Sequence, residues 1–411
     1  MASEWREGTL GDLLELKRGF DLPSQHRRPG LVPIVSSSGI SDYHEKSMIE
    51  GPGVVTGRYG TIGKVFFIEN DFWPLNTTLY VRDFKGNDIR FVSYFLQGID
   101  YLAYSDKAAV PGVNRNHLHQ AFVKYPTNIN EQRAIAQVLG SLDDKIELNR
   151  KMNETLEAMA RALFNSWFVT FDPIRAKAEG RDTGLPESIA AVFPDSFENS
   201  AFGEIPKGWK ASSLYEMAEF ANGAAYRDMH FSQQGEGLPV IKIAELKSGV
   251  TGTTRFTKTD LGDKYRIETK EILFSWSGNP DTSIDTFIWD GGPAWLNQHI
   301  FRVRENGKAS RARIFSQLKA LRPVFAELAR NKQTTGLGHV TVADMKKLMV
   351  CEPSNEVAAT FDKYTSPLME RIISNQLQIR HLTAMRDALL PKLISGELRI
   401  PQVERMVEAH I

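Results

Sequence analysis

The sequence predicts an α+β protein: two tandem mixed α/β domains, each followed by a long helix, with the helices pairing as an antiparallel coiled coil about a pseudo-two-fold axis. Three observations predict this. Landmark residues recur once along the chain. Each copy opens on short strand-like runs broken by Gly, Pro and Asn. Each copy closes on about 40 residues whose apolar positions alternate steps of four and three, as a heptad seam does.

Repetition sets the domain count. Trp5-Arg6-Glu7-Gly8-Thr9-Leu10 is answered by Trp209-Lys210-Ala211-Ser212-Ser213-Leu214, and Gly19 and Gly223 each stand 14 residues after their tryptophan. Trp73-Pro74-Leu75-Asn76-Thr77-Thr78-Leu79 is answered by Trp295-Leu296-Asn297-Gln298-His299-Ile300. Val113, Leu118, Val123 and Pro126 return 227 residues later as Val340, Met345, Val350 and Pro353. Such a period is too long for a solenoid and marks a duplicated half.

The first domain spans 1–128, with strands at Gly53–Gly57 and Lys64–Ile68 and a helix near 89–102. The first long helix spans 129–170, with Asn130 placed to cap it. Its seam runs Ile135, Leu139, Leu142, Ile146, Asn149, Asn153, Leu156, Ala160, Leu163, Trp167. A linker, 171–200, carries Phe171, Phe193 and Phe197, which suit packing rather than floating. The second domain spans 201–354, with strands at Ile272–Trp276 and Ile300–Val303 and a helix near 309–330. The second long helix spans 355–397, with the seam Phe361, Thr365, Leu368, Ile372, Asn375, Ile379, Leu382, Arg386, Leu389, Leu393 and a stop at Gly396. Residues 398–411 form a C-terminal tail.

Superposing the seams sets Asn149 opposite Asn375, a polar pair able to fix register. Antiparallel counting outward sets Leu142 near Leu382, Leu156 near Leu368, Leu163 near Phe361 and Ile135 near Leu389, with Ile146 and Ile372 in the same seam. About 40 residues at 1.5 Å each make a ruler of ~60 Å. The alternative is that each helix simply covers its own domain.

Composition is ordinary for a folded protein: of 411 residues 42% are hydrophobic and 24% charged, and 50 cations balance 50 anions. No apolar run approaches the ~20 residues of a membrane span. Met1–Glu7 has no apolar signal core, so the cytosol is the expected compartment. The single cysteine, Cys351, excludes an intramolecular disulfide framework and a cysteine-rich zinc site. Zero net charge does not exclude local patches. The stretch 302–347 holds eleven cations against three anions, net +8, and is either a solvated helical face or part of a path for an acidic partner.

Catalytic signatures are lacking. Ser277-Gly278-Asn279-Pro280-Asp281 has neither the second proline nor the aromatic of an adenine methyltransferase loop, and suits a turn. Gly57–Lys64 has the wrong glycine spacing for a phosphate loop and leads into a strand. His117-Leu118-His119 lacks a third metal ligand. The expectation is a chain with no catalytic residues, no metal and no cofactor.

Phe171-Asp172-Pro173, Ala176-Lys177-Ala178-Glu179-Gly180, Phe193-Pro194-Asp195-Ser196-Phe197 and Gly203-Glu204-Ile205-Pro206-Lys207-Gly208-Trp209 resemble the specificity subunit of a type I restriction-modification system. So do Asn130-Glu131-Gln132-Arg133-Ala134-Ile135-Ala136 and Leu390-Pro391-Lys392-Leu393-Ile394-Ser395-Gly396-Glu397-Leu398. The resemblance covers the whole chain. It departs at Val357-Ala358-Ala359, where the second copy lacks the Glu-Gln pair. The resemblance implies that each mixed domain is a target recognition domain reading half of a split site in double-stranded DNA. It also implies that two methyltransferase subunits dock on the helices, and that restriction subunits join through the complex. Two tandem readers suit a bipartite site, and their different loops suit an asymmetric one.

Base readout uses Arg on guanine and Asn or Gln on adenine, while glycine loops let backbone approach phosphate. In the first half this selects Arg58, Tyr59, Thr61 and Lys64, then Asn76 and Thr77, then Asn114, Arg115, Asn116 and His117. In the second it selects Trp276, Ser277 and Asn279, then Asn297, Gln298 and His299, then Lys332, Gln333, Thr334, Thr335 and His339. Taken singly, each also suits a turn or a buried structural role. Asn76 and Asn297 stand as a match between the copies, which points to structure. Base readers are expected to differ, favouring Arg58, Arg115, Asn116, Gln298 and Gln333. The rival functions are a solitary DNA methyltransferase or nuclease, and a protein-binding scaffold.

Overall fold

Short apolar runs bounded by turn residues bury a core only by pairing into sheets. The computed structural model describes residues 5–105, 112–201, 203–333 and 337–400. It divides into two units: the described residues up to Glu147 with those from His381 onward, and Leu148–Arg380.

In the first unit a four-stranded antiparallel sheet runs in the order Glu15–Arg18, Thr78–Asp83, Gly53–Gly57, Val65–Ile68. A second sheet orders Gly39–His44, Val32–Ser36 and Trp73–Pro74, the last pairing parallel. Trp5–Thr9 pairs with Phe122–Pro126. The helix Ile89–Gln97 is capped by Asp88, whose Oδ1 accepts from the Phe91 N–H at 2.9 Å.

The second unit repeats the central order with Glu219–Asn222, Ile300–Arg304, Ile272–Ser275 and Asp285–Ile288. Phe274 is the hub of its core, stacked on Phe301 and tilted against Phe325. The helix expected near 309–330 is two helices, Arg311–Ala320 and Arg322–Asn331. Pro323 has no N–H to continue the first and is preorganised to start the second.

The duplication is visible in backbone detail. A Cβ on Gly19 would stand 2.2 Å from the Leu75 carbonyl oxygen, and one on Gly223 would stand 2.2 Å from that of Asn297. The next residues make the same bond: Phe20 N–H donates to Pro74 O at 2.8 Å, and Ala224 N–H donates to Leu296 O at 2.8 Å.

The long helices are Ile129–Phe168 and Asn355–Ile394, 40 residues each. Asn130 does not cap the first. It already lies in the first turn, and Asn128 Oδ1 accepts its N–H at 2.9 Å. Gly396 stops the second helix with φ +76°. Glu131 and Gln132 have a purpose specific to the first copy. Buried Gln132 donates to Asn87 Oδ1 and Pro126 O and accepts from the Asp88 N–H, fastening the helix start to its domain. Glu131 Oε1 accepts from Trp5 Nε1 at 3.2 Å and pairs with Arg399. In the second copy Val357 is buried among aromatic rings instead.

Within each unit the helices pair antiparallel. In the first unit Arg386, placed in the apolar seam by spacing, pairs with Asp143 at 2.8 Å. In the second, Asn149 Nδ2 donates to Gln378 Oε1 at 3.1 Å, and Asn375 Nδ2 donates to Asn153 Oδ1 at 2.8 Å. The expected Asn149–Asn375 pair is therefore displaced by three to four residues, about one turn. Counting Cα positions ignores that helical side chains lean toward their own N-terminus, so in an antiparallel pair the tips meet further along than the Cα atoms. Phe361 likewise meets Phe164 and Trp167. Ile135, Leu142, Ile146, Leu382 and Leu389 are buried. Trp167 keeps its seam position and is buried, but Leu156, Leu163 and Leu368 are half-buried while Phe164 and Met369, one position beyond Leu163 and Leu368, are buried, as a helix drifting from a seven-residue repeat requires.

The linker is packed. Trp167 meets Phe193 edge-on with centroids 4.8 Å apart, and Phe171 meets Phe197 and Trp209. Lys177 Nζ donates to the Ala190 and Phe193 carbonyls.

Candidate nucleic-acid interface

In the first unit the strand Gly53–Gly57 ends in a loop that other segments pin. Arg58 and Tyr59 N–H groups both donate to Thr77 O, at 2.9 and 3.2 Å, and Arg58 O accepts from the Val113 N–H at 3.0 Å. Three sequence-selected segments therefore converge: 58–64, 76–77 and 113–117. Arg58 lies over the Tyr59 ring, 4.6 Å from its centroid, and its Nε donates to Val113 O. Tyr59, Thr61, Lys64, Arg115, Asn116 and His117 are exposed.

The second unit builds the same cradle. Trp276 N–H donates to His299 O at 3.3 Å, and Trp276 O accepts from the Val340 N–H at 2.9 Å. Ser277 and Gly278 pair with His339 and Gly338, where the first unit has the bridge between Tyr59 and Gly112. Hence Arg58 corresponds to Trp276 and Tyr59 to Ser277. Trp276 Nε1 donates to Asn222 Oδ1 at 3.0 Å, and its ring centroid is 5.6 Å from that of His299 and 5.8 Å from that of His339. Ser277 Oγ and His339 Nδ1 are hydrogen-bonded at 2.9 Å. Burial holds the His299 pKa below the ordinary histidine range, and His339 lowers it further.

This register corrects one sequence match. Phe20 bridges Leu75 and Ala224 bridges Asn297, so Asn297 corresponds to Leu75, and Asn76 corresponds to Gln298. Asn297 is buried and its Oδ1 accepts from the His299 N–H, which fits a structural part. Asn76 is half-exposed and donates to Asp21. The two asparagines therefore stand one position apart in the structural register.

Other candidates carry local structure. Asn114 caps the helix Arg115–His119, accepting from the Asn116 N–H. Asn279 Oδ1 accepts from the Asp281 and Thr282 N–H groups, so the stretch with a weak methyltransferase likeness is a turn. His119 Nε2 accepts from the Leu16 N–H at 2.8 Å. Gln333 is exposed; Thr334 and Thr335 lie outside the described residues. Among the described residues no group of three or more His, Cys, Asp or Glu could hold a metal ion, and no helix is long and apolar enough to cross a membrane.

The basic stretch 302–347 is largely neutralised within its own unit. Arg304 pairs with Glu271, Lys308 with Glu216, Arg311 with Glu370, Lys319 with Asp285, Arg330 with Asp281 and Lys332 with Asp344. Arg313 is buried and donates to Lys308 O. Burial works against a charged Asp344, yet Lys332 and Thr341 outweigh it and hold the carboxyl below the usual range. Net charge along the stretch did not reveal these pairings: Glu216, Glu271, Asp281, Asp285 and Glu370 come from outside it, and Asp344 from within.

Residues 2–158 and 206–377 match the family model described as the type I restriction modification DNA specificity domain. The chain belongs to this family. Among curated members of the kind, the HindI specificity subunit of Haemophilus influenzae is 25% identical over 96% of this chain and 100% of its own length. The MjaIX specificity subunit of Methanocaldococcus jannaschii is 28% identical over 73% of this chain and 66% of its own length. The fold is that of the type I restriction-modification S subunit of M. genitalium, with TM-score 0.60, 16% identity and 96% of each chain covered. Both family matches include one of the two cradles: the first spans 58–117, and the second spans 276–340.

Proposed function

We infer that this chain is the DNA sequence-recognition subunit of a type I restriction-modification complex. It binds a bipartite, asymmetric site in double-stranded DNA and docks two methyltransferase subunits, with restriction subunits joining through the complex. It contributes recognition rather than catalysis, uses no cofactor of its own and works in the cytoplasm.

One observation carries this function: the same three-segment cradle is built twice on equivalent backbone hydrogen bonds and dressed with different side chains. A homodimer presents two identical readers to a palindrome, whereas a duplicated chain can present two different ones. Arg58 and Arg115 suit guanine, and Gln298 suits adenine.

Mapping methylated adenines in cells that carry the chain with its partner subunits should return one split motif with unlike halves. Arg115→Ala should weaken one half by about 1–3 kcal/mol if it makes a paired base contact, leaving the other half intact. Equal loss from both halves would make Arg115 structural. Calorimetric binding of S-adenosylmethionine to the isolated chain would favour a methyltransferase instead.

A further inference from the structure

Val35, the next-to-last residue of the strand Val32–Ser36, and Ile241, the last of Leu238–Ile241, are held by equivalent bonds: Leu75 N–H donates to Val35 O at 2.8 Å, and Asn297 N–H donates to Ile241 O at 3.0 Å. Beyond that bond the two copies part. The first makes the tight turn Ser36-Ser37-Ser38-Gly39 into a strand. The second makes the short helix Ile243–Ser248.

Both segments nevertheless arrive at the rim of the cradle. A Cβ on Gly57 would stand 3.3 Å from Ser37 O, and one on Gly60 would stand 3.4 Å from Ser37 Oγ. In the second copy a Cβ on Gly278, the counterpart of Gly60, would stand 3.7 Å from the Ile243 side chain. Lys247 Nζ donates to Thr282 O, inside the turn that Asn279 holds.

Scaffold should be shared between the copies, and readers should differ. This segment joins a shared anchor to a shared destination, with different chemistry between. Ser36 Oγ is engaged by Gly39 O and Ser38, while Ser38 is exposed. A hydroxyl both donates and accepts, so it can meet any base edge. An ammonium is a compact point charge suited to phosphate.

Resting on the DNA-reading function above, we propose that this post-strand segment is a fourth DNA-contacting element of each reader. Ser37 and Ser38 face base edges in the first, and Lys247 faces a backbone phosphate in the second.

The test selects bound duplexes from a random library with the full chain and follows affinity against salt. Ser37→Ala with Ser38→Ala should alter the preferred base at a position of one half-site, or weaken that half about five-fold or more. The other half should not change. Lys247→Gln should leave every base preference in place and flatten the slope of log affinity against log salt by about 0.9. Ser38→Lys, at an exposed turn, should steepen that slope by about 0.9, whether or not the alanine pair folds well. Unchanged preference and affinity in the alanine pair, with an unchanged slope for Ser38→Lys, overturns the first-reader contact. An unchanged slope for Lys247→Gln overturns the second. A wild-type chain that selects no split duplex overturns the DNA-reading function itself, which is a different failure.

Discussion

Asn375 hands an amide hydrogen to Asn153 at 2.8 Å, with both side chains buried between the long helices. Asn153 in turn donates to the Ile372 carbonyl at 3.3 Å. Removing either amide leaves the other buried and short of a partner, at a cost of about 1–3 kcal/mol. Asn375→Leu should therefore destabilise the second unit by that amount in urea. Asn153→Leu combined with Asn375→Leu should recover much of the loss, because two apolar groups need no partner. A double-mutant cycle should give a coupling of about 0.5–3 kcal/mol. Strict additivity would mean that the amides act independently.

Gly19 and Gly223 each let one strand end pass against a carbonyl oxygen at a distance no Cβ tolerates. The obstacle in both cases is backbone, so it cannot rotate away. Gly223→Ala should destabilise the second unit by about 1–3 kcal/mol or more. Hydrogen exchange should show faster opening of Ile300–Arg304 while Thr78–Asp83 keeps its protection. Gly19→Ala should do the reverse. A uniform change across both would refute two separately opening units.

Much of this fold was legible because the chain states its pattern twice. The matched Trp-to-Gly spacing corresponds to a matched backbone contact, and the heptad seam to two helices of 40 residues. What escaped was set by three-dimensional neighbours. Side-chain lean moved Asn375 onto Asn153. Distant carboxylates such as Glu271 and Asp285 neutralised a run that looks basic in one dimension. Residue type marks the cradle segments but not the Ser36–Gly39 turn, whose proximity to Gly60 depends on the strand pairing that precedes it.

The same ion pairs reverse a natural expectation about salt. Neutralising Arg311, Arg313 and Lys332 would flatten the salt dependence if all three lay on phosphates, by about 0.9 for each contact. Arg311 faces Glu370, Lys332 faces Asp344, and Arg313 is buried against Lys308 O. The triple glutamine variant should change the slope by less than one such contact while lowering thermal stability. A drop approaching three contacts would place these residues on the DNA.

Acid should weaken the second unit through His299. Its ring is half-buried against Trp276, and its Nδ1 is enclosed with no hydrogen-bond partner among the described residues. Burial, then His339, depress its folded-state pKa. The unfolded chain, with a histidine near 6.5, therefore takes up a proton first as pH falls. Stability from this group is full above about pH 6.5 and is lost as pH drops from there through the lower folded-state value. The neighbouring titratable group is His339, whose Nδ1 is engaged by Ser277 Oγ. Urea unfolding at pH 7.5 and 5.5 should show the second unit losing stability in acid. His299→Gln, which cannot be protonated, should shrink that loss, whereas His117→Gln, at an exposed position in the first unit, should leave it unchanged. An equal acid loss in His299→Gln and wild type would assign the effect to other groups.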